Sequence, residues 1–99
     1  EKIEELGEMM DDLVGTRAVY VIDDDFEVVD RFPVDSFSEN MSDIEECYAV
    51  VFDGEINSSR IEEVESKEAE MIAGMARSGA ANSSKLNIVS RNDLKDAEI

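Results

Sequence analysis

The sequence predicts a small single α/β domain, with a mostly parallel sheet, an N-terminal hairpin and flanking helices. Three observations carry that expectation. Residues 48–54, Tyr-Ala-Val-Val-Phe-Asp-Gly, form a continuous apolar run that stops at an acid and a glycine. Strands buried on both faces read this way, because neither face tolerates polar side chains. A polar, helix-compatible segment at 57–67 then separates that run from a second short apolar run at 69–75. Strand, helix, strand in that order predicts a parallel unit. Finally, two β-rich runs, 17–22 and 26–32, are separated by Asp23, Asp24 and Asp25, the pattern of a hairpin.

Each element has its own local signal. Ile3, Leu6, Met10 and Leu13 are spaced by three or four, one stripe of an amphipathic helix. Gly15 follows where a helix C-cap glycine belongs. Pro33 ends the second hairpin strand, since it has no N–H for the ladder. Glu27, Asp30 and Arg31 in that run suit an edge, whereas the 48–52 strand is expected at the centre of the sheet. Asp35 or Ser36 is placed to cap a short helix through Met41. A helix opens near Ser58 or Ser59, where Ser59 and Glu62 have capping-box spacing. Residues 77–85 read as a loop rich in Ser, Ala and Gly, residues 86–89 as a final strand. Asn92 is placed to cap a last helical turn at 93–98. Met9, Met10, Met41, Met71 and Met75 are expected to fill the core. With no repeat and no internal boundary, residues 1–99 form one domain.

Composition narrows the partners. Twenty-six acids face nine bases, and the net charge is −17. A surface that tracks a phosphate backbone relies on Lys and Arg displacing counterions, so direct tight nucleic-acid binding is not expected, nor is an anionic membrane. A basic partner protein and a high-salt cytoplasm both fit the charge. The chain has no His, which removes His general-base chemistry and His metal ligands. Cys47 is the single cysteine; it forms no internal disulfide and is expected to be a small buried hydrophobe. No apolar stretch is long enough to span a bilayer and no signal sequence opens the chain, so a cytoplasmic location is expected. The first residue is Glu rather than Met, which suggests a piece of a longer protein.

The order of segments resembles the C-terminal region of archaeal DnaG-type primases, which carry a central Toprim catalytic domain. The similarity rests on the helix leading through Gly15-Thr16 into the 17–22 strand, and on the acidic turn leading to a strand that closes in Pro33-Val34. It continues through the strand end Val51-Phe52-Asp53-Gly54, the following helix with Arg60, the strand ending in Gly74, the small-residue loop with Ser78-Gly79, and the final strand 86–89. The resemblance implies a non-catalytic accessory domain of a parent primase. That parent would make RNA primers in DNA replication and associate with the RNA-degrading exosome. The partners it implies are other primase domains and exosome components. It places catalysis, and any Mg²⁺, in the parent's Toprim domain, whose Glu-Gly motif is missing here, so no catalytic residue carries over and no cofactor is expected in this domain.

The residues alone offer a few sites. Asp23, Asp24 and Asp25 are hard ligands suited to Mg²⁺. Asp53 would join them if the strands ending at Ile22 and Phe52 lay parallel and adjacent. The alternative is a turn, in which Asp side chains bond nearby backbone. Asp53 and Gly54 are candidates for a ligand at a strand's carboxyl end, or for a βα loop where Gly supplies a backbone angle and Asp caps. Arg60 is a candidate to grip an anion near a helix start, or to pair with Glu63 or Glu55 on the surface. Residues 74–79, with Arg77 and Ser78, lack phosphate-loop spacing. A small metal- or nucleotide-binding domain and a purely structural acidic domain are the alternatives to the accessory role.

Overall fold

A computed structural model describes residues 2–77 and 86–91, apart from the side chains of residues 2–6 and of Arg77. Helix α1 (Lys2–Leu13) leads to the hairpin of β1 (Ala18–Ile22) and β2 (Val28–Pro33). A 3-10 turn (Val34–Ser36) and α2 (Phe37–Met41) follow, then β3 (Ala49–Phe52), β4 (Glu55–Ile56) and α3 (Ser58–Glu65). The described chain closes with β5 (Met71–Gly74), β6 (Ala76–Arg77) and β7 (Asn87–Ser90). The expected last helical turn at 93–98, and all of the 77–85 loop except Arg77, lie outside the described residues, as do the side chains of Ile3 and Leu6.

The main sheet has the order β2-β1-β3-β5-β7. β3 pairs parallel with β5, and β5 with β7, while β1 is antiparallel to both β2 and β3. The sheet is therefore mixed by pairing, but β1 is the one strand of these five that runs against the rest. The reason is topological: a tight turn forces β2 to reverse β1. The chain then passes through α2 to reach β3 on the other side of β1. The expected hairpin, edge strand and central strand are all present.

Side-chain alternation splits the core into two layers. Val19, Val21, Val50, Phe52 and Ile72 face α2 and α3, packing with Phe37, Met41, Ile61 and Val64. Ala49, Val51, Met71 and Ala73 face the other way, with Met10 and Leu13 of α1. β3 and β5 are buried at all four positions, as strands covered on both faces must be. Met10 and Leu13 are fully buried, and each such side chain contributes about 1.5–3 kcal/mol. Met10, Met41 and Met71 are core residues, and Met9 and Met75 pack against the layer that holds Met10 and Met71.

Local chemistry fixes the joints. Gly15 takes φ +83°, and the Thr16 N–H and hydroxyl both donate to the Leu13 carbonyl, at 2.9 and 2.6 Å, closing α1. Helix α3 begins two residues earlier than its Ser59–Glu62 spacing suggests. Asn57 is its cap, the side chain accepting from the Arg60 N–H at 3.0 Å. Asn competes well for this position because its short amide reaches the N3 donor. The α2 boundary at Ser36 has no side-chain cap bond, so neither Asp35 nor Ser36 caps in the expected way. At the described C-terminal end, Arg91 pairs with Asp11 at 2.9 Å, tying the segment after β7 to α1.

Candidate functional site

The candidate residues lie at two opposite ends of the sheet. At the first end, β3 ends at Phe52 and runs into Asp53 and Gly54. Asp53 neither caps α3 nor points to a free crevice. Its Oδ2 accepts the backbone N–H of Arg17 at 2.8 Å, while its own N–H donates to the Ala18 carbonyl at 3.1 Å. Arg17 has φ +52°, a conformation few non-glycine residues adopt. Its guanidinium is held by Asp35 at 2.8 Å, and that hydrogen bond raises its pKa above the ordinary value.

Gly54 does not have a left-handed backbone; among the described glycines, Gly15 does. Its carbonyl instead accepts the Met75 N–H at 2.9 Å, beside the short parallel ladder of β4 with β6. A Cβ on Gly74 would stand 2.8 Å from both the Gly54 oxygen and Ile56 Cγ1. The carboxyl ends of β3 and β5 are thus filled by backbone and by the fully buried Ile56.

Arg60 pairs with neither Glu63 nor Glu55 through its charge. Its Nη1 donates to the Glu55 main-chain carbonyl at 2.7 Å, and the guanidinium lies over Phe52 and Phe37, 5.3 and 5.5 Å from the ring centroids. Arginine suits this because its planar, weakly hydrated group stacks on rings and still donates in-plane. The adjoining cleft of about 460 Å³ is lined by Asp35, Glu39 and Glu63 as well as Arg60, a carboxylate excess that repels anions.

At the second end lie Asp23, Asp24 and Asp25. One carboxylate oxygen from each falls within 4.8 Å of the others. Asp23 Oδ1 accepts the N–H groups of Asp25 and Glu27 at 3.0 and 2.9 Å, an Asx arrangement that shapes the turn. Asp53 does not join this cluster. β1 and β3 are adjacent but antiparallel, with Ile22 opposite Ala49 and Val19 opposite Phe52. Asp53 therefore sits beside the start of β1 and Asp23 beyond its end, about 16 Å apart at 3.3 Å per residue.

The cluster adjoins a groove that the sequence did not reveal. Backbone bonds stitch three segments together there: Tyr48 N–H to Ile22, Glu70 N–H to Tyr48 and Cys47 N–H to Lys67, at 3.0, 2.8 and 3.3 Å. The groove, about 370 Å³, has Val29, Cys47 and Tyr48 as its less polar side. Glu46, Glu68 and Glu70 add carboxylates to those of Asp23 and Asp24. Phe26 supports Tyr48 from behind, with ring centroids 5.7 Å apart. Glu68 takes φ +60°. The usable signal is that parallel strands begin at one sheet edge, which makes the residues before β3 and before β5 neighbours.

Cys47 is half-buried, and burial pushes its thiol up to about 11, against a smaller lowering by Lys67. A thiol held protonated is a poor nucleophile. Comparison with protein-family models, with curated proteins and with solved structures gives no match to this chain.

Proposed function

We propose that the chain is a non-catalytic accessory domain of an archaeal DnaG-type primase and works through protein contacts. The other primase domains and exosome components are the partners this implies, in the cytoplasm. The support is the order of segments from Gly15-Thr16 to the final strand, together with the placement of the acids. The observation that carries the non-catalytic part is the antiparallel pairing of β1 with β3. Phosphoryl transfer needs carboxylates that hold metal beside one reacting phosphate, and here the best acids stand at opposite sheet ends. In this reading the domain needs no cofactor of its own, and Mg²⁺ belongs to the parent. No helix among the described residues is long and apolar enough to cross a membrane.

The test is the gene around this chain. A Toprim Glu-Gly motif and an Asp-x-Asp motif encoded upstream of Glu1 support the assignment; their absence from the full gene sinks it and leaves a structural acidic domain. The isolated domain is expected to bind RNA and DNA oligonucleotides weakly, and a salt-sensitive submicromolar affinity would contradict the reading.

One observation favours a second reading, a divalent cation at the hairpin turn: the three Asp oxygens within 4.8 Å of one another. Against it, Asp23 Oδ1 is already occupied by two backbone donors. Saturable Mg²⁺ binding confined to those residues would establish it.

A further inference from the structure

Among the described residues, Val28 and Val29 are left 44% and 58% exposed, side by side on the edge strand β2. Val29 also forms part of the groove at the hairpin end of the sheet. An exposed apolar pair continuous with a concave wall marks a contact surface more than scattered apolar residues do.

We propose that this groove and the adjoining edge of β2 dock an extended basic segment of a partner protein, with Lys or Arg alternating with apolar residues. The proposal rests on the protein-contact reading above and gives that contact a surface and a chemistry. The occupant follows from charge. Among the described residues, five carboxylates line the groove and no Lys or Arg does. Among the described residues, Asp24, Glu46, Glu68 and Glu70 take part in no ion pair. Lys67, beside Cys47, is the near cation among the described residues and is outnumbered. Nucleic acid, an anionic membrane and an acidic peptide are all repelled. A second copy of the chain carries the same −17 and the same acidic rim, so it repels as well.

The non-ionic part of the groove explains why the occupant is a side chain rather than a bare cation. Val29, the half-buried Cys47 and the Tyr48 ring offer a surface for the methylene stem of Lys or Arg, whose charged end then reaches the carboxylates. Val28 and Val29 meet the apolar residues on either side. Long strand addition along β2 is not expected. The register with β1 slips at Val29, between the Val21–Asp30 and Ile22–Val28 pairs, and Pro33 lacks a donor, both of which blunt an edge. Specificity therefore comes from the groove.

The experiment uses the whole chain and two labelled dodecapeptides of equal charge. One alternates Lys and Arg with Val; the other has Ser in place of each Val. At about 150 mM salt, where long-range attraction is screened, the Val peptide is expected to bind saturably and at least about tenfold more tightly, a difference typical of an anchored apolar contact. Amide shifts should map to residues 23–30, 46–48 and 68–70. Val29→Ser and the double change Glu46→Gln, Glu70→Gln should each weaken binding about tenfold; all three residues are exposed, so the fold survives. Equal affinity for the two peptides, or shifts spread over every acidic face, overturns the proposal. So does dimerisation that protects Val29. Any of these leaves the accessory reading standing, because that reading is tested by the parent gene and by oligonucleotide binding, not by this peptide.

Discussion

Asp53 Oδ2 accepts the backbone N–H of Arg17 at 2.8 Å across 36 residues of sequence. The bond joins the end of the central strand to the start of β1, at a residue whose φ of +52° is otherwise costly. A side chain that looked like a ligand at a strand end is thus a structural clasp.

That clasp sets the first prediction. Asp53→Ala removes the acceptor for a donor held in strained backbone and should destabilise the domain by about 1–2 kcal/mol. Asp53→Asn retains an oxygen and should cost less. Urea denaturation reads both; equal stability of Asp53→Ala and the parent chain would show that the bond holds nothing.

The two glycines at the carboxyl ends of β3 and β5 should respond differently. A Cβ on Gly74 would sit 2.8 Å from the Gly54 carbonyl oxygen, which is backbone, whereas one on Gly54 meets Arg60 Nη1 and the Phe52 ring at 3.4 Å. Gly74→Ala is expected to cost roughly 1–3 kcal/mol. Gly54→Ala should change stability by less than about 1 kcal/mol. The reverse ranking in thermal melts would contradict the close approach of β4 to β5.

Cys47 supplies a pH signature. Burial raises its folded pKa from 9.0 to about 11. Between those values the unfolded chain loses the thiol proton and the folded chain keeps it. The stability from this group is therefore whole below pH 9 and is lost as pH rises through 11. Comparison with Cys47→Ala isolates that loss from Tyr and Lys titration. Iodoacetamide at pH 8 should modify the folded chain at least about tenfold more slowly than the urea-unfolded one.

Salt should stabilise the fold. Twenty-six acids against nine bases repel one another in the compact state, and screening relieves this. The urea midpoint is expected to rise between low salt and molar NaCl. A midpoint that falls would mean that attractive pairs such as Arg17–Asp35 and Arg91–Asp11 outweigh the repulsion.

Much of the fold was legible because the elements carry strong periodic signals. The all-apolar run at 49–52 reads as a central strand because of its length and β-branched content, and Glu27, Asp30 and Arg31 suit the edge. The direction of β1 against β3 was not legible, since hydrophobic alternation is the same read either way. That one ambiguity produced the idea of a shared Asp53–Asp23 site. Arg60 was recognised as notable, but its stacking on Phe37 and Phe52 depends on residues brought together only by the α2–α3 layer. The groove was hidden for the same reason, because Val29, Tyr48 and Glu70 are distant in sequence and meet only at the sheet edge.

Asp53 at one sheet end and the Asp23–Asp25 turn at the other are expected not to share a metal ion. Amide NMR during a Mg²⁺ titration checks this separation. Weak shifts without saturation are expected over the acidic surface, with the Asp53 amide moving independently of Asp23, Asp24 and Asp25. Shifts of all four residues along one saturating curve, abolished by Asp53→Asn and accompanied by a melting temperature that rises with occupancy, would contradict it.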